Sequence, residues 1–154
     1  MKKGILVIIF LFLFLTSFVS ALDCYTFLNS DYTMNQNLTN CSSVGIIIAS
    51  DNITLDCNGY SIEGAEGSVI GIDIYSKKNI KIENCIIKGF RQGITDIPQY
   101  SWGENNNILI NNKISENRIG IVISGSSNNT IINNLIFENE EGMELGGSYT
   151  TSNS

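Results

Sequence analysis

The chain has no histidine, one proline (Pro98), one tryptophan (Trp102) and nine basic residues against fifteen acidic ones in 154 positions. Without an imidazole, serine-hydrolase triads, histidine acid–base catalysis and histidine-containing zinc sites are excluded in their usual form. The shortage of Lys and Arg, with a net charge of −6, excludes a basic nucleic-acid-binding surface, so no nucleic-acid partner is expected. Only 16% of residues are charged, while 26 are Ile and 20 are Asn. Neither residue is a preferred helix former, and Ile fits a pleated, half-buried surface, so the composition points to β structure joined by polar turns.

The first 21 residues read as a secretory signal peptide. Lys2 and Lys3 form a short positive segment, Ile5 to Leu15 is an unbroken apolar run, and Val19-Ser20-Ala21 supplies a small-residue cleavage site. The alternative is an uncleaved N-terminal anchor, since Gly4 to Val19 nearly suffices to cross a thin bilayer. Cleavage after Ala21 leaves 7 basic and 15 acidic residues, a net charge of −8, and no stable membrane span. In an exported protein Cys24, Cys41, Cys57 and Cys85 are expected as disulfides. Three connectivities are open; pairing nearest neighbours, Cys24 with Cys41 and Cys57 with Cys85, closes the short loops. A metal or redox site lacks both a C-x-x-C spacing and histidine.

Glycine followed by an apolar residue recurs as Gly71-Ile72, Gly93-Ile94, Gly120-Ile121 and Gly142-Met143, at intervals of 22, 27 and 22 residues. Ile62, Ile87, Ile114 and Ile136 keep step, as do Leu55, Ile82, Leu109 and Ile131. Asn84, Asn111 and Asn133 form another column, and Asn112 and Asn134 the next, with Cys85 in the preceding repeat. Self-similarity at this period marks a stacked solenoid. Segments such as Asn79-Ile80-Lys81-Ile82 alternate at a period of two, which predicts short strands. The predicted fold is therefore all-β: a parallel β-helix of about four to five short coils, each about 4.8 Å above the last, with apolar columns stacked inside. Asn and the glycines Gly93, Gly120 and Gly142 are expected at corners in the left-handed backbone region, with asparagines bonding one another along the axis.

Three stretches resemble a known family: residues 52–62 (Asn-Ile-Thr-Leu-Asp-Cys-Asn-Gly-Tyr-Ser-Ile), residues 82–90 (Ile-Glu-Asn-Cys-Ile-Ile-Lys-Gly-Phe) and residues 124–131 (Ser-Gly-Ser-Ser-Asn-Asn-Thr-Ile). They are similar to the right-handed parallel β-helix proteins with short Asn- and Gly-marked repeats, described as NosD-like or as carbohydrate-binding and sugar-hydrolase β-helices. The resemblance covers about residues 45–147 and implies a right-handed coil in an exported, often cell-surface setting. Substrate and reaction vary within the fold and do not transfer with it.

The organisation expected is a signal peptide over 1–21, an N-terminal cap over 22–44 tethered by Cys24 and Cys41, and β-helix repeats over 45–147. Residues 148–154 are either a polar tail or the start of a further coil, so continuation into more coils is an expectation as well. Five extra residues between Ile94 and Leu109 make a long excursion. Tyr100 and Trp102 are its candidates to stack on sugar rings, with Asp96, Gln99 and Glu104 bonding hydroxyls. The alternative is that these rings fold back as a plug over the coil. Asp73, Asp96, Glu144 and Arg91 fall on or near one repeated strand face, but Thr95, Val122 and Glu144 occupy the position of Asp73 in later coils. That spreads the acids along the axis, so no catalytic residue is assigned. Met34 and Met143 offer copper few of the ligands it prefers. No metal or cofactor is expected; calcium belongs only to a lyase reading. Sequons at Asn37, Asn52 and Asn128 are candidate glycosylation sites, and the one at Asn40 is compromised by Cys41 in its middle position.

These features read together as an exported, non-catalytic β-helix that contacts carbohydrate or another cell-surface glycan. The alternatives are a fragment of a β-helix polysaccharide lyase or glycoside hydrolase, and a purely structural surface spacer.

Overall fold

The computed structural model describes residues 22–97 and 103–146; the expected signal peptide and the tail beyond Gly146 lie outside them. Strands of two to six residues, most of them carrying isoleucine, form every regular element, and no helix occurs among the described residues. The first turn holds β1 (Thr26–Leu28), β2 (Tyr32–Thr33) and β3 (Leu38–Cys41). The second holds β4 (Val44–Ile48), β5 (Thr54–Asp56) and β6 (Ser61–Gly64), and the third β7 (Ile70–Asp73), β8 (Lys81–Glu83) and β9 (Ile86–Lys88). The fourth holds β10 (Gln92–Asp96), β11 (Gly103–Glu104), β12 (Ile108–Ile110) and β13 (Lys113–Ser115). The fifth holds β14 (Ile119–Ser124), β15 (Ser126–Ser127), β16 (Thr130–Ile132) and β17 (Leu135–Phe137), and β18 (Glu141–Gly146) opens a sixth.

Each strand pairs in parallel with its counterpart one turn on, which generates three long sheets and the short β11–β15 pair. The first sheet runs β1-β4-β7-β10-β14-β18, the second β2-β5-β8-β12-β16 and the third β3-β6-β9-β13-β17. The sequence columns are the register itself: Leu55, Ile82, Leu109 and Ile131 are successive partners, as are Ile62, Ile87, Ile114 and Ile136. Pleating sends alternate side chains inward. Three files of aliphatic side chains thus fill the interior, and Ile46, Leu55, Ile62, Ile72, Ile82, Ile87, Ile94 and Ile114 are wholly buried. A buried aliphatic side chain contributes about 1.5–3 kcal/mol, but no single turn can enclose its own file, so stability is a property of the stack.

Residues 22–44, expected as a cap, are built as a turn of the solenoid. All three of their strands pair in parallel with the second turn. Their apolar residues, including Leu28, Met34 and Leu38, continue the core, Leu28 and Leu38 as register partners of Ile48 and Ile62. The Cys24–Cys41 disulfide closes this first turn, and Cys57–Cys85 links the second turn to the third inside the core.

The corners repeat a two-residue device. The first residue adopts positive φ: Asn52, Asn79, Asn106 and Asn128 at one corner, Asn84, Asn111 and Asn133 at the next, and Gly89, Glu116 and Glu138 at the third. Asn tolerates this backbone region better than other side-chain-bearing residues. The second residue points inward. The recurring glycines do something different from what was expected, because Gly93, Gly120 and Gly142 are absent from the positive-φ set. A Cβ on Gly45, Gly71, Gly93 or Gly120 would lie 2.4–2.6 Å from the carbonyl oxygen of the matching glycine one turn on. Close approach of successive backbones, not turn conformation, requires glycine there.

Candidate functional site

Of the candidate residues in the long excursion, only Asp96 and Glu104 fall among the described residues. Gln99, Tyr100 and Trp102 lie outside the described residues. Glu104 is exposed on β11. Asp96 is not available to a ligand: it is 1% exposed and occupies the inward file between Ile74 and Ile123. Its carboxylate accepts hydrogen bonds from Asn105 Nδ2 (3.2 Å), Asn107 Nδ2 (3.2 Å), Ser126 Oγ (2.8 Å) and Asn129 Nδ2 (3.3 Å). A carboxylate in a core costs heavily unless its lone pairs are met, and here four donors meet them. Asp96 ties both sides of the excursion to the fifth turn.

The acids on the first sheet are not brought together. Asp73 lies in register with Thr95, Val122 and Glu144, whereas Asp96 is one residue further along β10 and so faces the other way. Burial raises the Asp73 carboxyl above its ordinary value, partly opposed by the Tyr75 N–H that donates to it, with Asp96 adding a smaller upward push. Glu144 and Arg91 are exposed.

The third sheet carries a more coherent outer surface. The residues between its inward files are Ser61, Ile86, Lys113 and Leu135 in one row and Glu63, Lys88, Ser115 and Phe137 in the next. All of them except Leu135 line a shallow groove of about 460 Å³, with Glu116 and Glu138 at one margin and Asn37 at the upper end. Lys88 Nζ lies 3.5 Å from Glu63, and Ser61 Oγ donates to the same carboxylate at 2.7 Å. Lys113 Nζ sits 5.2 Å from the centroid of the Phe137 ring, within cation–π range. The groove therefore combines donors, acceptors and a ring on one face of the stack. Its signal in the sequence was the alternation on β6, β9, β13 and β17, which places these residues on one face.

A second depression, of about 350 Å³ on the second sheet, is lined by Asp31, Thr33, Asp56 and Glu83 among others. Its carboxylates are occupied: Asp31 accepts from the Thr54 N–H, Asp56 from Asn58 N–H and Asn84 Nδ2, and Glu83 pairs with Lys81 at 2.8 Å. Among the described residues no group of three or more His, Cys, Asp or Glu side chains is placed to hold a metal ion.

The sequons differ in setting although all are exposed. The Asn37 side chain accepts the Ser61 N–H, and Asn52 accepts from Asn79 Nδ2. Asn40 precedes a disulfide-bonded cysteine, and Asn40, Asn52 and Asn128 all adopt positive φ.

A family model described as the right-handed β-helix region matches residues 25–154. The chain belongs to the right-handed β-helix family. No curated protein and no solved structure matches this β-helix chain at significant similarity. The match begins within the first turn, where the paired β1–β3 also place the start of the β-helix. Its two disulfides are compatible with an oxidising, extracytoplasmic environment.

Proposed function

We propose that this β-helix is an exported, non-catalytic module that recognises carbohydrate at a cell surface through the outer groove of its third sheet. The observation that carries this reading is the meeting, on one rigid face, of the Lys113–Phe137 pair with Lys88, Glu63 and Ser61. Sugars present hydroxyl rims and apolar ring faces, and this surface has partners for both. The two disulfides support the extracytoplasmic part of the proposal.

The test is a glycan-array screen of the purified protein followed by titration of any binder against Phe137→Ala, Lys88→Ala and Trp102→Ala. Loss of about tenfold or more in affinity for the first two variants, corresponding to about 1.4 kcal/mol, supports the groove. Loss confined to Trp102→Ala moves the site to the excursion. An array without saturable binding favours a structural spacer, and cleavage of an acidic polysaccharide favours the lyase or hydrolase reading.

A further inference from the structure

Asn37 stands apart from the other sequon asparagines in its backbone and its surroundings. Asn40, Asn52 and Asn128 adopt positive φ, and Asn37 does not. It immediately precedes β3, where Leu38 is buried while Asn37 and Thr39 on either side of it are exposed. Alternation along an extended segment therefore sets the amide and the hydroxyl of Asn37-Leu38-Thr39 on one outer face. The Ser61 N–H of the next turn donates to Asn37 Oδ1 at 2.9 Å, which orients the side chain. Among the described residues no hydrogen bond engages Asn37 Nδ2.

The second observation is where that amide stands. Leu38 is the register partner of Ile62, so Asn37 heads the outer row of Ser61, Ile86 and Lys113 on the third sheet. It lines the groove together with Ser61, Glu63 and Lys88. At about 4.8 Å per turn, Lys88 lies about 10 Å and Lys113 about 14 Å further along the axis. A chain of several sugars on Nδ2 spans that distance. Glu63, Lys88 and Ser115 offer its hydroxyls acceptors and donors, so a glycan laid over the groove leaves these polar groups partnered.

We propose that Asn37 is an N-glycosylation site and that its glycan lies along the third-sheet groove and covers it. An Asn-X-Thr amide in an exported chain is the acceptor this chemistry needs. The donor is an oligosaccharide carried on a lipid phosphate. Asn37 Nδ2 forms a bond to the anomeric carbon, the bond from that carbon to the phosphate oxygen breaks, and the phosphate leaves with the electron pair. One Nδ2 proton passes to a base of the transferase. Oδ1 keeps its hydrogen bond from Ser61, so the folded turn holds the first sugar at the upper end of the groove. Tethering gives the glycan a high effective concentration there, and an outside ligand has to displace it. The inference rests on the export part of the function proposed above and not on carbohydrate recognition.

The protein is produced with its own residues 1–21 in a host that N-glycosylates exported proteins, beside Thr39→Ala, which removes the sequon, and Thr39→Ser, which keeps it. Peptide mass mapping reads occupancy at Asn37, and amine-reactive labelling reads access to the groove. Lys81 on the second sheet is the reference, because its side chain is 40% exposed against 36% for Lys88 and it too is ion-paired. The expected result is a glycan on Asn37 in the parent and in Thr39→Ser. Labelling of Lys88 and Lys113 in both should be at least about threefold slower than in Thr39→Ala, with Lys81 unchanged. Secretion with Asn37 bare, or a glycan there with equal labelling in all three proteins, overturns the inference and leaves the export reading intact. Retention of the chain inside the cell overturns both. A glycan array probed with the unmodified Thr39→Ala protein tests carbohydrate recognition separately, and absence of a binder there removes that reading alone.

Discussion

At the residue scale, the fold places unusual demands on glycine and on two aspartates. Gly93→Ala drives a methyl group to 2.5 Å from the Gly120 carbonyl oxygen and 2.9 Å from Ile114 Cγ2, both held by the stack. Thermal unfolding should show a loss of about 3 kcal/mol, whereas Gly142→Ala should stay within about 0.5 kcal/mol of the parent. Asp73 makes a pH-dependent prediction. Its folded-state value is raised, so the neutral carboxyl is favoured in the folded protein, and the stability this contributes is present below the ordinary value of 3.8 and lost as pH rises through the raised one. Asp73→Asn keeps an acceptor for the Tyr75 N–H and removes the ionisation. It should therefore raise the melting temperature at pH 7 and leave it unchanged at pH 3; an equal shift at both pH values would assign the effect to packing. Asp96 shows how an inward direction was legible and overlooked: counting alternately from Ile94 sends Thr95 outward and Asp96 inward, in step with Ile74 and Ile123.

At the element scale, the strands were readable because their Ile columns recur, and the observed register keeps every one of those columns. The first turn was harder to read because Tyr32 and Leu38 stand opposite Leu55 and Ile62 without repeating the Ile of the later columns, and Cys41 stands opposite Gly64. The paired asparagines were legible as corner residues, but their division of labour was not. The first of each pair bends the backbone, and the second crosses to the preceding turn, as Asn112 does by accepting from Cys85 N–H and donating to the Ile82 carbonyl at 3.0 Å. Sequence spacing reveals recurrence but not what lies across the gap, which is also why the glycines looked like turn residues. Asn112→Leu is expected to cost about 2–3 kcal/mol, since it orphans buried backbone groups, even though leucine is the more apolar side chain. Chemical denaturation that finds Asn112→Leu neutral would remove the ladders from the account of stability.

At the scale of the whole molecule, stability accumulates from neighbouring turns, and the cross-links concentrate at the N-terminal end. Cys57–Cys85 closes a loop with a sequence separation of 28 and joins two turns, so its removal by paired Ser substitutions should cost about 3–4 kcal/mol by loop entropy. Removing Cys24–Cys41, with a separation of 17 inside the first turn, should cost about 3 kcal/mol and loosen mainly β1 to β3, as hydrogen exchange would show. The central claim is that each turn lies in parallel register on the last. Cysteine cross-linking across the second sheet tests it most directly, because Lys81 and Ile108 are register partners about 4.8 Å apart, whereas Lys81 and Ile110 share a face about 8 Å apart, outside disulfide reach. Oxidation followed by peptide mapping should find a disulfide in Lys81→Cys/Ile108→Cys and none in Lys81→Cys/Ile110→Cys. A cross-link in the second pair, or in neither, would contradict the stacked register.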